Sequence, residues 1–107
     1  MITDQQAEQA VAYLRDNARK SAQAKAERIY MEEYRKTVKA QIQREALGEA
    51  LGAQESRAYA DARYAQHLSA MKEAIERDEY QRWMMVAAQA TLEAWRSQSA
   101  NLRGMGK

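Results

Sequence analysis

TDQQAEQAVAYLRDNARKSAQAKAERIYMEEYRKTVKAQIQREALG, the run from Thr3 to Gly48, contains no proline and no glycine before its final residue. Nothing in it stops a helix. The 107-residue chain has no proline anywhere, and its four glycines stand at 48, 52, 104 and 106. A helix from Asp4 to about Leu47 would be roughly 65 Å long at 1.5 Å per residue. That is longer than a compact domain of this size is wide, so it must fold back on a second helix or meet other copies of itself. The expected fold is all-α: a long helical hairpin, two long helices joined by a short connecting helix, in an oligomer.

Local signals set the expected boundaries of one helical domain over residues 1–107. Thr3 can cap the first helix while Gln6 reaches back to it, and Ile2 and Ala7 stand where a hydrophobic staple would be. Asp4 in the first turn suits the helix dipole. Gly48 and Gly52 can both accept a left-handed cap, so residues 48–52 read as a turn. A short helix over about 53–60 follows. Asp61 then caps a last helix from Ala62 to about Asn101, and residues 104–107 are expected to form a flexible tail.

The apolar pattern asks for more than one neighbour. Ala7, Val11, Leu14, Ala18, Ala22, Ala26 and Ile29 keep to one face of the first helix at steps of three and four. Tyr30, Tyr34, Val38 and Ile42 then lie nearly opposite, counting about 100° per residue. On the last helix Tyr64, Leu68, Met71, Ile75, Trp83, Val86 and Ala90 share one face, with Glu79 interrupting it. Met84, Ala88, Leu92 and Trp95 form a second. Val38, Ile42, Met84, Leu92 and Trp95 are the expected oligomer or partner contacts. Large apolar side chains are few and phenylalanine is absent, which also favours stability gained by association.

The net charge of +2 conceals a pattern. Residues 1–47 hold nine basic and seven acidic side chains, 48–80 hold four and seven, and 81–107 hold four and one. The ends are basic and the middle is acidic, which neutralisation within one hairpin or between subunits would explain as well as an anionic partner. No apolar run approaches 18 residues and no leader is visible, so a cytoplasmic location and no membrane contact are expected. Zero cysteine excludes disulfides and thiolate metal sites.

Enzyme chemistry finds no foothold. The single histidine, His67, has no serine or cysteine nucleophile in a strained turn beside it. One histidine without cysteine cannot build the usual zinc site. Glu73, Glu76, Asp78 and Glu79 could gather a hard cation, but they interleave with Lys72, Arg77 and Arg82 at the spacing of solvated helical pairs. No glycine-rich phosphate loop exists. The expectation is a protein with no catalysis, no metal and no cofactor.

What remains is basic and aromatic. Lys25, Arg28, Arg35, Lys36 and Lys39 cluster on one broad side of the first helix, with Tyr30 and Tyr34 in the same turns. Cations that track phosphates and rings that stack on bases are how single-stranded nucleic acid is held. The opposing reading is a solvated face, because Glu27, Glu32 and Glu33 sit among the bases and the tyrosines begin an apolar stripe. Arg96 and Arg103 near the last helix's C-terminus form a second basic candidate, which the helix dipole alone would also explain.

Three stretches taken together, Glu27 to Lys36 (ERIYMEEYRK), Glu55 to Tyr64 (ESRAYADARY) and Leu92 to Arg103 (LEAWRSQSANLR), resemble small helical proteins encoded by tailed bacteriophages and prophages, often among recombination and replication genes. Where those relatives carry proline two residues before the tyrosine, this chain has Ala62. The resemblance implies a phage accessory factor in the host cytoplasm that acts on DNA or on proteins handling DNA. The expected function is therefore non-enzymatic assistance to DNA recombination or replication, by binding single-stranded DNA or a DNA-bound protein. The alternative is a protein-only inhibitor or adaptor that docks a helix face on a host or phage enzyme.

Overall fold

The structure, a computed structural model, describes residues 1–105. It is all-helical, with two long helices joined by a short one: α1 (Asp4–Arg44), α2 (Leu51–Ala60) and α3 (Ala62–Met105). No described helix is long and apolar enough to cross a membrane. The reciprocal cap that opens α1 is present: the Thr3 amide donates to Gln6 Oε1 at 2.8 Å, and the Gln6 amide donates to Thr3 Oγ1 at 3.1 Å. Two orphan donors of the first turn are thereby satisfied.

The helix ends differ from expectation in instructive ways. α1 stops at Arg44 rather than Leu47, and residues 45–49 tighten into turns whose amides reach back three residues, such as Ala46 to the Gln43 carbonyl. No described glycine has a positive φ, so neither Gly48 nor Gly52 forms the left-handed cap. Ala50 supplies the break instead, with extended backbone (φ −61°, ψ 151°), and Gly52 lies inside α2. α3 continues through Gly104 to Met105, beyond the expected end at Asn101. Gly106 and Lys107, expected in a flexible tail, lie outside the described residues.

Between α2 and α3 only Asp61 leaves the helical path. Its Oδ1 accepts the Arg63 amide at 2.8 Å, the N-cap expected there. Arg63 also reaches Glu45, with Nη1 donating to Oε1 at 3.1 Å. These hydrogen bonds from Arg63 hold the Glu45 and Asp61 carboxyls below their ordinary pKa values. A carboxyl depressed in the folded state adds stability above its unfolded pKa and loses it as pH falls through the folded value. Arg63→Ala is therefore expected to lower stability at pH 7, and its gap to wild type should close as pH drops below about 4.5. Urea midpoints across that range measure this, and a gap independent of pH would remove the cluster from the stability account.

The chain forms two compact units, one of residues 24–78 and one of residues 1–23 with 79–107. In the 24–78 unit the core is Val38, Ile42 and Ala58, with Tyr34 and Tyr64 packed against it. Ile42 is 1% exposed and Ala58 fully buried. In the other unit the buried apolar residues are alanines, Ala7, Ala10 and Ala88. Low-exposure positions recur there at 7, 10, 14, 17 and 21 of α1 and at 81, 85, 88, 92 and 95 of α3. Alternating steps of three and four are the spacing of a coiled-coil seam. The α1 start lies beside the α3 end, since Ile2 bonds Gln98 and Asp4 bonds Trp95. The segments pair antiparallel.

Candidate nucleic-acid interface

The structure divides the five candidate cations of α1, Lys25, Arg28, Arg35, Lys36 and Lys39, into two sets. Arg28 and Lys39 are engaged internally. Arg28 Nη1 lies 3.2 Å from Asp78 Oδ2 and its Nε 2.9 Å from Glu32. Lys39 Nζ donates to the Tyr59 hydroxyl at 2.9 Å, sits 4.6 Å from that ring's centroid and lies 3.5 Å from Glu55. The Tyr59 hydrogen bond, assisted by Glu55, raises the Lys39 ammonium above its ordinary pKa. Neither cation is open to a phosphate without giving up these partners.

Lys25, Arg35 and Lys36 form the second set. All three are exposed. Among the described residues Lys36 makes a surface pair with Glu33 at 3.2 Å, worth about 0–1 kcal/mol and readily exchanged for another anion.

The two tyrosines are likewise divided. Their rings stack, with centroids 5.6 Å apart and planes 16° from parallel. Tyr34 is the inner ring, packed on the Val38–Ile42–Ala58 core and 5.7 Å from the His67 ring. Tyr30 is the outer ring and is 59% exposed. The stack fixes Tyr30 in one orientation at little further cost in side-chain entropy. On α1, however, Tyr30 and Lys36 differ by about 120° in helical phase, so ring and cations do not share one strip.

His67 is a core residue: it is buried, and its Nε2 lies 2.7 Å from the Met31 carbonyl oxygen. The carboxylates of α3 disperse rather than converge. Asp78 turns to Arg28, Glu79 pairs with Arg82 at 2.7 Å, and no group of metal-ligating side chains occurs among the described residues. Arg96 pairs with Glu93 at 3.1 Å on the surface, and Arg103 is exposed in the last turn of α3.

The expected interface residues are reassigned too. Val38 and Ile42, expected at a subunit contact, are buried within one copy, while Met84, Leu92 and Trp95 are half-buried. Trp95 Nε1 donates to Asp4 Oδ1 at 2.8 Å. Sequence reasoning overlooked Tyr59, Glu55 and Asp78 as the partners that occupy Lys39 and Arg28. No sequence signal marked them, because Arg28 and Asp78 are polar residues at low-exposure positions, which an apolar count passes over. No protein-family model, curated protein or solved structure matches this chain.

Proposed function

We propose that the protein is a non-enzymatic accessory factor that assists phage DNA recombination or replication by contacting single-stranded DNA, with Tyr30 as the stacking ring and Lys25, Arg35 and Lys36 as the phosphate contacts. The observation that carries this reading is the Tyr30–Tyr34 stack. A base laid on the exposed Tyr30 extends an ordered column, and such stacking contributes about 1–3 kcal/mol per base. The phage setting comes from the resemblance of the three quoted stretches.

The magnitudes make each copy a weak binder. Three phosphate contacts at about −0.7 each give a slope of roughly −2 for log affinity against log salt. Glu27, Glu32 and Glu33 in the same turns lower the local potential further. Useful affinity therefore requires several copies on one strand, where the second contact becomes intramolecular.

Fluorescence anisotropy with a labelled oligonucleotide tests this across a salt series. The expected outcome is saturable binding with that shallow slope, lost in a joint Lys25→Gln, Arg35→Gln, Lys36→Gln variant and weakened in Tyr30→Ala. The absence of binding at low salt by folded protein rejects the DNA reading. The protein-only adaptor reading would then take its place, and the exposed Leu47 in the α1–α2 turn and Leu51 at the start of α2 favour it.

A further inference from the structure

We infer that Asp61 is a one-residue hinge whose side chain keeps α2 folded back on the Val38–Ile42 surface of its own copy. Without that cap, α2 and α3 run on as one helix, and its α2 segment docks on the same surface of a second copy. This inference stands apart from the DNA reading, because it uses neither Tyr30 nor the three exposed cations.

The bend is confined to one torsion. Asp61 alone separates the two helices. Its φ of −72° is already helical and only its ψ of 137° departs, the helical value being about −42°. Around it stand Arg57, Ala58, Ala60, Ala62 and Arg63, all strong helix formers, with neither proline nor glycine to enforce a break. What marks the bend is side-chain chemistry. Asp61 Oδ1 accepts the Arg63 amide at 2.8 Å, and Oδ2 lies 3.0 Å from the Arg63 guanidinium, which also reaches Glu45. Aspartate is a good cap and a poor helix-interior residue, so it favours the bend twice over.

The contacts of α2 on α1 do not choose between copies. Ala58 is fully buried in the cluster with Val38 and Ile42, and Lys39 Nζ meets the Tyr59 hydroxyl at 2.9 Å and Glu55 at 3.5 Å. An exchanged α2 re-forms each of these on the α1 of the second copy, which makes exchange a low-cost route to a dimer. The connection is long enough to allow it. Straightening carries the start of the ten-residue α2 about 15 Å beyond Asp61, and residues 45–50 reach roughly 20 Å when extended. Residue 61 and protein concentration therefore set the balance.

The test combines sedimentation of the full chain, from low micromolar to submillimolar concentration, with carbodiimide coupling of Lys39 to Glu55 in isotopically heavy and light copies refolded together. Asp61→Ala removes the cap and supplies the best helix former. The expected effect is about tenfold per hinge, and so about 100-fold on the dimerisation constant, because two hinges straighten in each pair. Its Lys39–Glu55 link should join a heavy copy to a light one, with helicity retained. Asp61→Gly should match the wild-type protein, since glycine caps nearly as well as aspartate and resists a straight helix. Should Asp61→Ala lose its helical signal, Arg63→Ala, which loosens the cap from its other side, carries the same expectation at smaller magnitude. A wild-type mass for Asp61→Ala at every concentration overturns the inference. So does a Lys39–Glu55 link that stays within one copy, or exchange that Asp61→Gly promotes equally.

Discussion

Ile42→Ala is expected to lower the stability of the 24–78 unit by about 2–5 kcal/mol. Ile42 is the largest fully buried side chain in the structure and packs in the small Val38–Ala58 cluster. So small a core has few neighbours able to collapse into the space left behind. The loss thus combines the transfer energy of the missing methylenes with a residual cavity. For a chain near this length, that corresponds to a fall in thermal midpoint of roughly 8–20 °C, read by circular dichroism. Tyr34 and Tyr64 rest on the same cluster, so the Tyr30–Tyr34 column should loosen as well. A loss below about 1 kcal/mol would show that the cluster does not organise the unit, since a well-packed isoleucine costs more than that to truncate.

Asp78→Ala carries the second large effect. The Asp78 side chain is 13% exposed and that of Arg28 30% exposed. Deleting the acid removes one charged hydrogen bond from a partly buried guanidinium, a contact worth about 1.5–3 kcal/mol. The surviving Glu32 contact keeps the figure toward the lower end. A joint Arg28→Met, Asp78→Leu variant should instead be neutral or more stable by up to about 4 kcal/mol, because apolar side chains carry no desolvation cost. Urea midpoints of the single and joint variants decide the matter. If the joint variant is weaker than Asp78→Ala alone, the ion pair contributes net stability in its own right.

The all-helical nature of the chain and the order of its three helices were legible from the proline-free run and the position of the glycines. The caps at Thr3 and Asp61 were legible too, because each is written within three residues. The inward faces were not. Counting apolar residues selects Ala7, which is buried, but also Ala18, Ala22, Ala26 and Ile29, which are exposed, while Ala10 and Ala24 outside that stripe take buried positions. Alanine occurs too often along α1 for hydropathy to choose between faces. Polar residues also take low-exposure positions, Asn17, Ser21 and Gln81 in one unit and Arg28, His67 and Asp78 in the other, and these are invisible to an apolar stripe.

The same limit governs the candidate site. A basic cluster in sequence counts Arg28 and Lys39 as available, but their availability depends on Asp78 and Tyr59, which are 50 and 20 residues away in the chain. Only tertiary structure reveals that competition. Trp83 illustrates the converse, since a tryptophan in a helical stripe reads as interior by default and here stands largely in solvent.

Ala7, Ala10 and Ala88, the buried apolar residues of one unit, are too small to fix by themselves how far two helices are staggered. In the unit of residues 1–23 and 79–107 the alignment is set by a clasp at its open end. Gln98 Oε1 accepts the Ile2 amide at 2.8 Å while Gln98 Nε2 donates to the Ile2 carbonyl oxygen at 2.9 Å. Because both partners are main-chain atoms, residue 2 can vary in side chain without releasing it. The Gln98 carboxamide acts as the vernier together with the nearby Trp95–Asp4 hydrogen bond, so polar contacts at one end, rather than the oily pattern, record where these two helical segments must stop sliding.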